Sequence, residues 1–205
     1  MTRETDDRTL RETMAESEMG ERMKRFGETA IRTPANAVTL LRLLFAVPVL
    51  VWILQESHAT WGTFAGWMFL WITDYLDGWL ARRDGATRSG AFLDPLADKF
   101  LVIGGFLALV LRGQLAWAAL VLVVARELGI SAYRSFAARR GISLPARRLG
   151  KWKTVVQLLA VGVVLCPITD DSVGLQQVVL WFAVVLTLVS ALDILHSGWR
   201  ETRAV

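Results

Sequence analysis

Apolar positions gather into six runs, and polar and basic residues fill the short stretches between them. The runs are Val38–Leu54, about Ala59–Leu80, about Ala91–Leu111, about Gln114–Tyr133, about Trp152–Ile168 and about Val173–Leu195. A hydrophobic run of about 18 residues or more is long enough to cross a bilayer as a helix. The pattern therefore predicts an all-α, polytopic membrane protein with six transmembrane helices in one domain over residues 34–205. Pro34 suits the start of the first helix, where a missing N–H costs little. Ahead of it, residues 1–33 form a charged tail in which Leu10, Met14, Met19, Met23 and Phe26 recur at roughly helical spacing. That spacing predicts an N-terminal amphipathic helix lying on the membrane surface. Residues 1–30 have no apolar core or small-residue cleavage site, so they do not read as a signal peptide.

The polar positions set an orientation. With the N-terminus in the cytoplasm, the inner loops and C-terminal end hold Arg82, Arg83, Arg88, Arg139, Arg140, Arg147, Arg148, Lys151, Arg200 and Arg203. The outer loops hold only Arg112, beside Glu56, Asp170 and Asp171. This one-sided distribution predicts both termini inside. Composition agrees with a membrane protein: 54% of residues are hydrophobic and 20% charged, with a mean hydropathy of +0.41. The net charge of +4 does not point to nucleic acid, because the basic residues collect at one membrane face. Anionic headgroups and phosphorylated substrates would meet them there. Cys166 is the single cysteine, which excludes an intramolecular disulfide, and His58 and His196 lack partners at zinc-ligand spacing.

Chemistry concentrates between the second and third runs. The sequence reads Asp74-Tyr-Leu-Asp77-Gly78-Trp-Leu-Ala81-Arg82, then seven residues, then Gly90, Asp94 and Asp98. Asp74 and Asp77 share one helix face, and Asp94 and Asp98 share another. The short connection makes the two helices antiparallel neighbours, so the carboxylate pairs can converge at the cytoplasmic boundary. Four carboxylates there repel one another unless something positive holds them. Oxygen ligands without His or Cys select hard cations, Mg2+ or Mn2+, and such ions also grip substrate phosphates. Gly78 and Ala81 leave room for a ligand beside the backbone, and Arg82 offers a phosphate partner. Ordinary interfacial ion pairs would account for one such Asp, but poorly for four on two adjacent helix ends. A cation transporter is the reading from a different class, but the carboxylates sit at one face, whereas transporter sites lie near the midplane.

This pattern, D-x2-D-G-x2-A-R-x7–8-G-x3-D-x3-D, resembles that of the CDP-alcohol phosphatidyltransferases at every fixed position. The resemblance implies six transmembrane helices, a homodimer and a cytoplasm-facing metal site, here with two ions. It implies that Asp74, Asp77, Asp94 and Asp98 bind the metal and that Asp98 is the general base for the acceptor hydroxyl. It implies that Gly78, Ala81 and Arg82 contact the CDP part of the donor.

Residues 33–160 further resemble one branch of the family, the phosphatidylglycerophosphate synthases. The first helix carries Asn36, Thr39 and Arg42, similar to that branch's N-x2-T-x2-R opening, and these would join the donor site beside the aspartates. Arg126-Glu127-x3-Ser131-x2-Arg134 and Gly150-Lys151-x-Lys153-Thr154-x2-Gln157 are similar to the branch's fourth and fifth helices. The resemblance implies CDP-diacylglycerol as donor and glycerol 3-phosphate as acceptor, with Arg126, Arg134, Lys151 and Lys153 as partners of the acceptor phosphate. It also implies a bacterial inner membrane location with a cytoplasmic active site. The competing reading of Arg126 is an intramembrane pair with Glu127 or Asp193. Adjacent residues on a helix do not face each other, which makes Glu127 alone an awkward partner. Leu149 departs from the branch, which has Ser at that place. The closest rival is therefore a cardiolipin-forming relative that takes phosphatidylglycerol as acceptor.

Of the nine Trp, the sequence places Trp52, Trp61, Trp117, Trp152, Trp181 and Trp199 near helix ends as interfacial anchors, and Trp67, Trp71 and Trp79 in packing between helices. Gly104-Gly105 predicts that a neighbouring helix approaches closely, with the dimer partner as the candidate neighbour.

Overall fold

Six α-helices occupy the six predicted places, and no strand occurs among the described residues. The computed structural model describes residues 34–84, 90–140 and 148–202. At 34–36, 75, 77–84, 90–95, 148, 151 and 199–202 it describes the backbone alone. The amphipathic helix expected within residues 1–33 lies outside the described residues. The helices are α1 (Pro34–Gln55), α2 (Trp61–Asp84), α3 (Gly90–Leu111), α4 (Trp117–Arg139), α5 (Arg148–Leu165) and α6 (Val173–Thr202).

The helices extend past most of the apolar runs. Hydropathy marks only the stretch suited to hydrocarbon, whereas backbone hydrogen bonding continues into polar ends. The local signals explain the termini. Pro34 opens α1, where no intrahelical partner is lost. At the start of α2, Thr60 Oγ1 accepts the Thr63 N–H at 3.2 Å and Thr63 Oγ1 accepts the Thr60 N–H at 3.3 Å, a reciprocal cap. α3 ends in a Schellman turn: the Gly113 N–H bonds the Val110 carbonyl and the Gln114 N–H bonds the Leu109 carbonyl, each at 2.9 Å. Gly113 takes φ +72°, a conformation that side chains disfavour. α5 stops at Leu165, short of the expected Ile168, because Pro167 opens a 3-10 turn over Pro167–Thr169.

Among the described residues, two helices are long and apolar enough to cross a membrane, over Ala37–Gln55 and Val173–Gly198, and Trp152–Leu165 is a shorter apolar helix. Asp74 in α2, Asp98-Lys99 in α3 and Arg126-Glu127 in α4 interrupt the other apolar runs.

The chain forms two compact units. One comprises Met1–Phe45 and Ile72–Asp98; the other comprises Ala46–Trp71 and Lys99–Val205. In the larger unit α6 packs along α4 and α5. Its core holds Trp67, Leu70, Leu101, Phe106, Leu109, Val123, Val161, Leu165 and Leu180. Burying each such side chain contributes roughly 1.5–3 kcal/mol relative to water, although lipid offers no such gain at exposed faces. The Trp67 indole N–H donates to the Leu158 carbonyl at 3.0 Å. The close approach predicted for Gly104-Gly105 occurs within this chain. A Cβ on Gly105 would stand 2.5 Å from the Trp67 ring, and one on Gly104 would stand 2.6 Å from Leu50 Cδ1. Trp52, Trp61, Trp117 and Trp152 are exposed near helix ends, as expected, and Trp67 is buried. Trp181 differs from expectation: it lies about two turns inside α6.

At one set of helix ends in this unit, Asp170 Oδ1 accepts the Ala59 N–H at 3.2 Å and tethers two connections. Burial pushes the nearby Arg112 guanidinium below its ordinary pKa, and the Asp170 and Glu56 carboxylates oppose that shift.

Candidate active site

Three helices bring charge together in the smaller unit. α1 carries Thr39 and Arg42 one turn apart, on a face that is buried at both positions. Arg42 is 2% exposed. Its Nη1 donates to Asp74 Oδ1 of α2 and stands 3.5 Å from Asp98 Oδ1 of α3. Two predicted metal ligands, separated by 24 positions in the sequence, thus turn their oxygens toward one positive point. The Asp98 side chain is 47% exposed and the Asp74 side chain 23%, so Asp98 is the more open of the two.

This arrangement fits a hard divalent cation. The described donors are carboxylate oxygens, with no competing soft ligand, and they already converge on a cation of the protein's own. Asp77, Gly78, Ala81 and Arg82 lie on the C-terminal turns of α2, Asp94 on the first turns of α3 and Asn36 on the first turn of α1. Their side chains are outside the described ones.

A second polar cluster lies inside the larger unit, where α4, α5 and α6 meet. Arg126 Nη1 donates to both Glu127 oxygens at 3.3 and 3.4 Å. Its Nη2 donates to Ser190 Oγ at 2.7 Å, and its Nε to the Thr187 carbonyl at 3.3 Å. Lys153 Nζ of α5 also donates to Glu127 Oε1. Gln157 Nε2 donates to Thr187 Oγ1 at 2.8 Å. Arg126, Glu127, Lys153, Gln157, Thr187 and Ser190 are all buried. Arg134 is half-buried two turns further along α4, and its charge repels that of Arg126.

Arg126 and Lys153, both predicted cations of the acceptor, are therefore brought together. Lys151 lies on the first turn of α5, and its side chain is outside the described ones. The Arg126–Glu127 pair, judged awkward from helix spacing, does form. A long guanidinium can bend back to its neighbour when burial leaves neither group any water. Lys153 and Ser190 supply the partners that a lone neighbouring pair would lack. Sequence reasoning missed Ser190 and Thr187 as functional candidates. Their signal was two hydroxyls three positions apart in an otherwise apolar helix, which share a face. Arg139 and Arg140 are exposed surface charges, as expected, with the Arg140 guanidinium 4.2 Å from the centre of the Phe136 ring.

Comparisons with known proteins show which family the chain resembles. The model of the family described as CDP-alcohol phosphatidyltransferase matches residues 32–189. A probable phosphatidylglycerophosphate synthase of Mycobacterium tuberculosis is 36% identical over 200 residues, covering 95% of each chain. A CDP-diacylglycerol–glycerol-3-phosphate 3-phosphatidyltransferase of Pseudomonas fluorescens is 35% identical over 177 residues, covering 82% of this chain and 91% of its own. One of the same name from Bacillus subtilis is 38% identical over 136 residues, covering 64% of this chain and 70% of its own. With its aspartate pattern intact and the family match spanning most of its length, the chain belongs to the CDP-alcohol phosphatidyltransferase family.

Proposed function

We propose that the chain transfers the phosphatidyl group of CDP-diacylglycerol to glycerol 3-phosphate, giving phosphatidylglycerophosphate and CMP. The observation that carries this reading is the convergence of Asp74 and Asp98 on the buried Arg42 guanidinium in a chain of this family. The names of the similar proteins support the acceptor.

Asp74, Asp77, Asp94 and Asp98 would hold two divalent ions, Mg2+ or Mn2+. When bound, such ions offset the negative charge on the phosphate oxygens under attack and on the departing CMP. Asp98 takes the proton of the acceptor hydroxyl, a poor nucleophile until a positioned base does so. Its greater exposure suits that task. The hydroxyl oxygen then bonds the phosphatidyl phosphorus, the bond from phosphorus to the CMP oxygen breaks, and that oxygen leaves with the electron pair. Asn36, Thr39, Arg42, Gly78, Ala81 and Arg82 line the donor's CDP part. Arg126, Arg134, Lys151 and Lys153 face the acceptor phosphate.

Two membrane-capable helices in a lipid-synthesis family point to a membrane protein. The finer proposal is six spans in the bacterial inner membrane, both termini and the site on the cytoplasmic face, and a homodimer. The acceptor is tested by supplying labelled glycerol 3-phosphate with CDP-diacylglycerol and Mg2+ to the purified protein. Label should enter the lipid phase. If phosphatidylglycerol is the only acceptor that reacts, the product is cardiolipin and the glycerol 3-phosphate reading fails.

A further inference from the structure

We propose that Glu127 is a positioning residue for the acceptor. Its carboxylate holds Lys153 and Arg126 in place for the incoming phosphate and so sets the affinity for the phosphorylated alcohol. This rests on the reading above that Arg126 and Lys153 serve the acceptor.

Glu127 is 5% exposed and lies between two cations of different helices. It accepts from Lys153 of α5 and from Arg126 of its own helix. α6 completes the grip on Arg126. Ser190 Oγ donates its one proton to the Thr187 carbonyl at 2.9 Å, which leaves its oxygen lone pairs free to accept from Arg126. Arg126 is thus held at Nε, Nη1 and Nη2 by three different residues. Lys153 is different in kind, because an ammonium on a flexible stem can turn its donors from one acceptor to another. Glu127 is thus shared by two buried cations of different helices. A phosphate would offer both of them further charged acceptor oxygens. In this arrangement Arg126 is fixed, Lys153 exchanges partner from carboxylate to phosphate, and Glu127 keeps both cations together until the phosphate arrives. Without Glu127 the two like charges would repel, and Lys153 would lose its hydrogen bond to α4.

Steady-state kinetics of the full-length protein in detergent–lipid micelles test this. Hydrogen bonds to charged groups are among the stronger ones, so Glu127→Gln should raise the KM for glycerol 3-phosphate by about tenfold or more. The KM for CDP-diacylglycerol should stay within about twofold, the signature of a loss confined to acceptor binding. Glu127→Asp should restore most of the affinity, and Ser190→Ala should raise the acceptor KM by a smaller factor. If Glu127→Gln changes both KM values alike, or lowers kcat alone, while Lys153→Met still raises the acceptor KM, Glu127 is merely structural and the proposal is overturned. If Lys153→Met leaves the acceptor KM unchanged, the acceptor reading itself has failed, and this proposal with it. Should Glu127→Gln aggregate on size exclusion, Ser190→Ala decides. A raised acceptor KM at constant donor KM supports the proposal, and no change overturns it.

Discussion

Arg42 is the residue on which the smaller unit turns. A guanidinium that is 2% exposed must be paired, and Asp74 and Asp98 supply the charge. Without Arg42 the two carboxylates lose their shared cation and repel each other, a repulsion softened by the water that reaches Asp98. Arg42→Met should therefore lower the melting temperature of the protein in detergent containing EDTA. Added Mg2+ should recover more of that loss in the variant than it adds to the wild type. Equal Mg2+ responses in the two proteins would show that Arg42 and the metal do not share the carboxylates. The residue types of this site were legible in the sequence, since four aspartates at such spacings have few other uses. The Arg42 bridge was not, because an ion pair between residues 32 and 56 positions apart leaves no local periodicity. Ser190 and Thr187 escaped notice for a related reason. A hydroxyl in an apolar helix commonly bonds its own backbone, as both do, and its second role depends on which helix packs beside it.

At the scale of elements, hydropathy located all six helices, and local punctuation located their ends where it existed. Pro34, the Thr60–Thr63 cap, Gly113 and Pro167 each act at a helix terminus. Where a helix simply continues into polar residues, as α6 does from Leu195 to Thr202, hydropathy stops early. Packing partners were the least legible feature. Gly104-Gly105 signalled a close approach without saying to what, and the neighbours are Leu50 of α1 and Trp67 of α2. Their substitutions should differ. Gly105→Ala would drive a methyl into a rigid, fully buried indole, a form of overpacking that typically costs about 1–3 kcal/mol. Gly104→Ala meets only the methyl end of Leu50, which can rotate away. Melting curves in detergent should place Gly105→Ala clearly below Gly104→Ala, and the reverse order would contradict this packing.

At the scale of the whole molecule, large apolar side chains are exposed on all six helices, including Leu44 and Val51 of α1, Trp61 of α2, Leu107 of α3, Val121 of α4, Trp152 of α5 and Val178 and Leu192 of α6. Such a surface is unfavourable in water and expected in lipid. The proposed topology makes a direct prediction in a Cys166→Ser background. A cysteine at Asp171 should react with a membrane-impermeant maleimide in intact cells, whereas one at Arg139 should react only after permeabilisation. Both positions are exposed, so equal labelling would contradict opposite sides. The central claim is the reaction itself, and CMP release tests it most directly. Purified protein in detergent–lipid micelles with CDP-diacylglycerol and Mg2+ should release CMP when glycerol 3-phosphate is added. EDTA should abolish the release, and Asp98→Asn should reduce it by at least about a hundredfold, the scale of general-base catalysis. Undiminished release from Asp98→Asn, or release that ignores glycerol 3-phosphate, would contradict it.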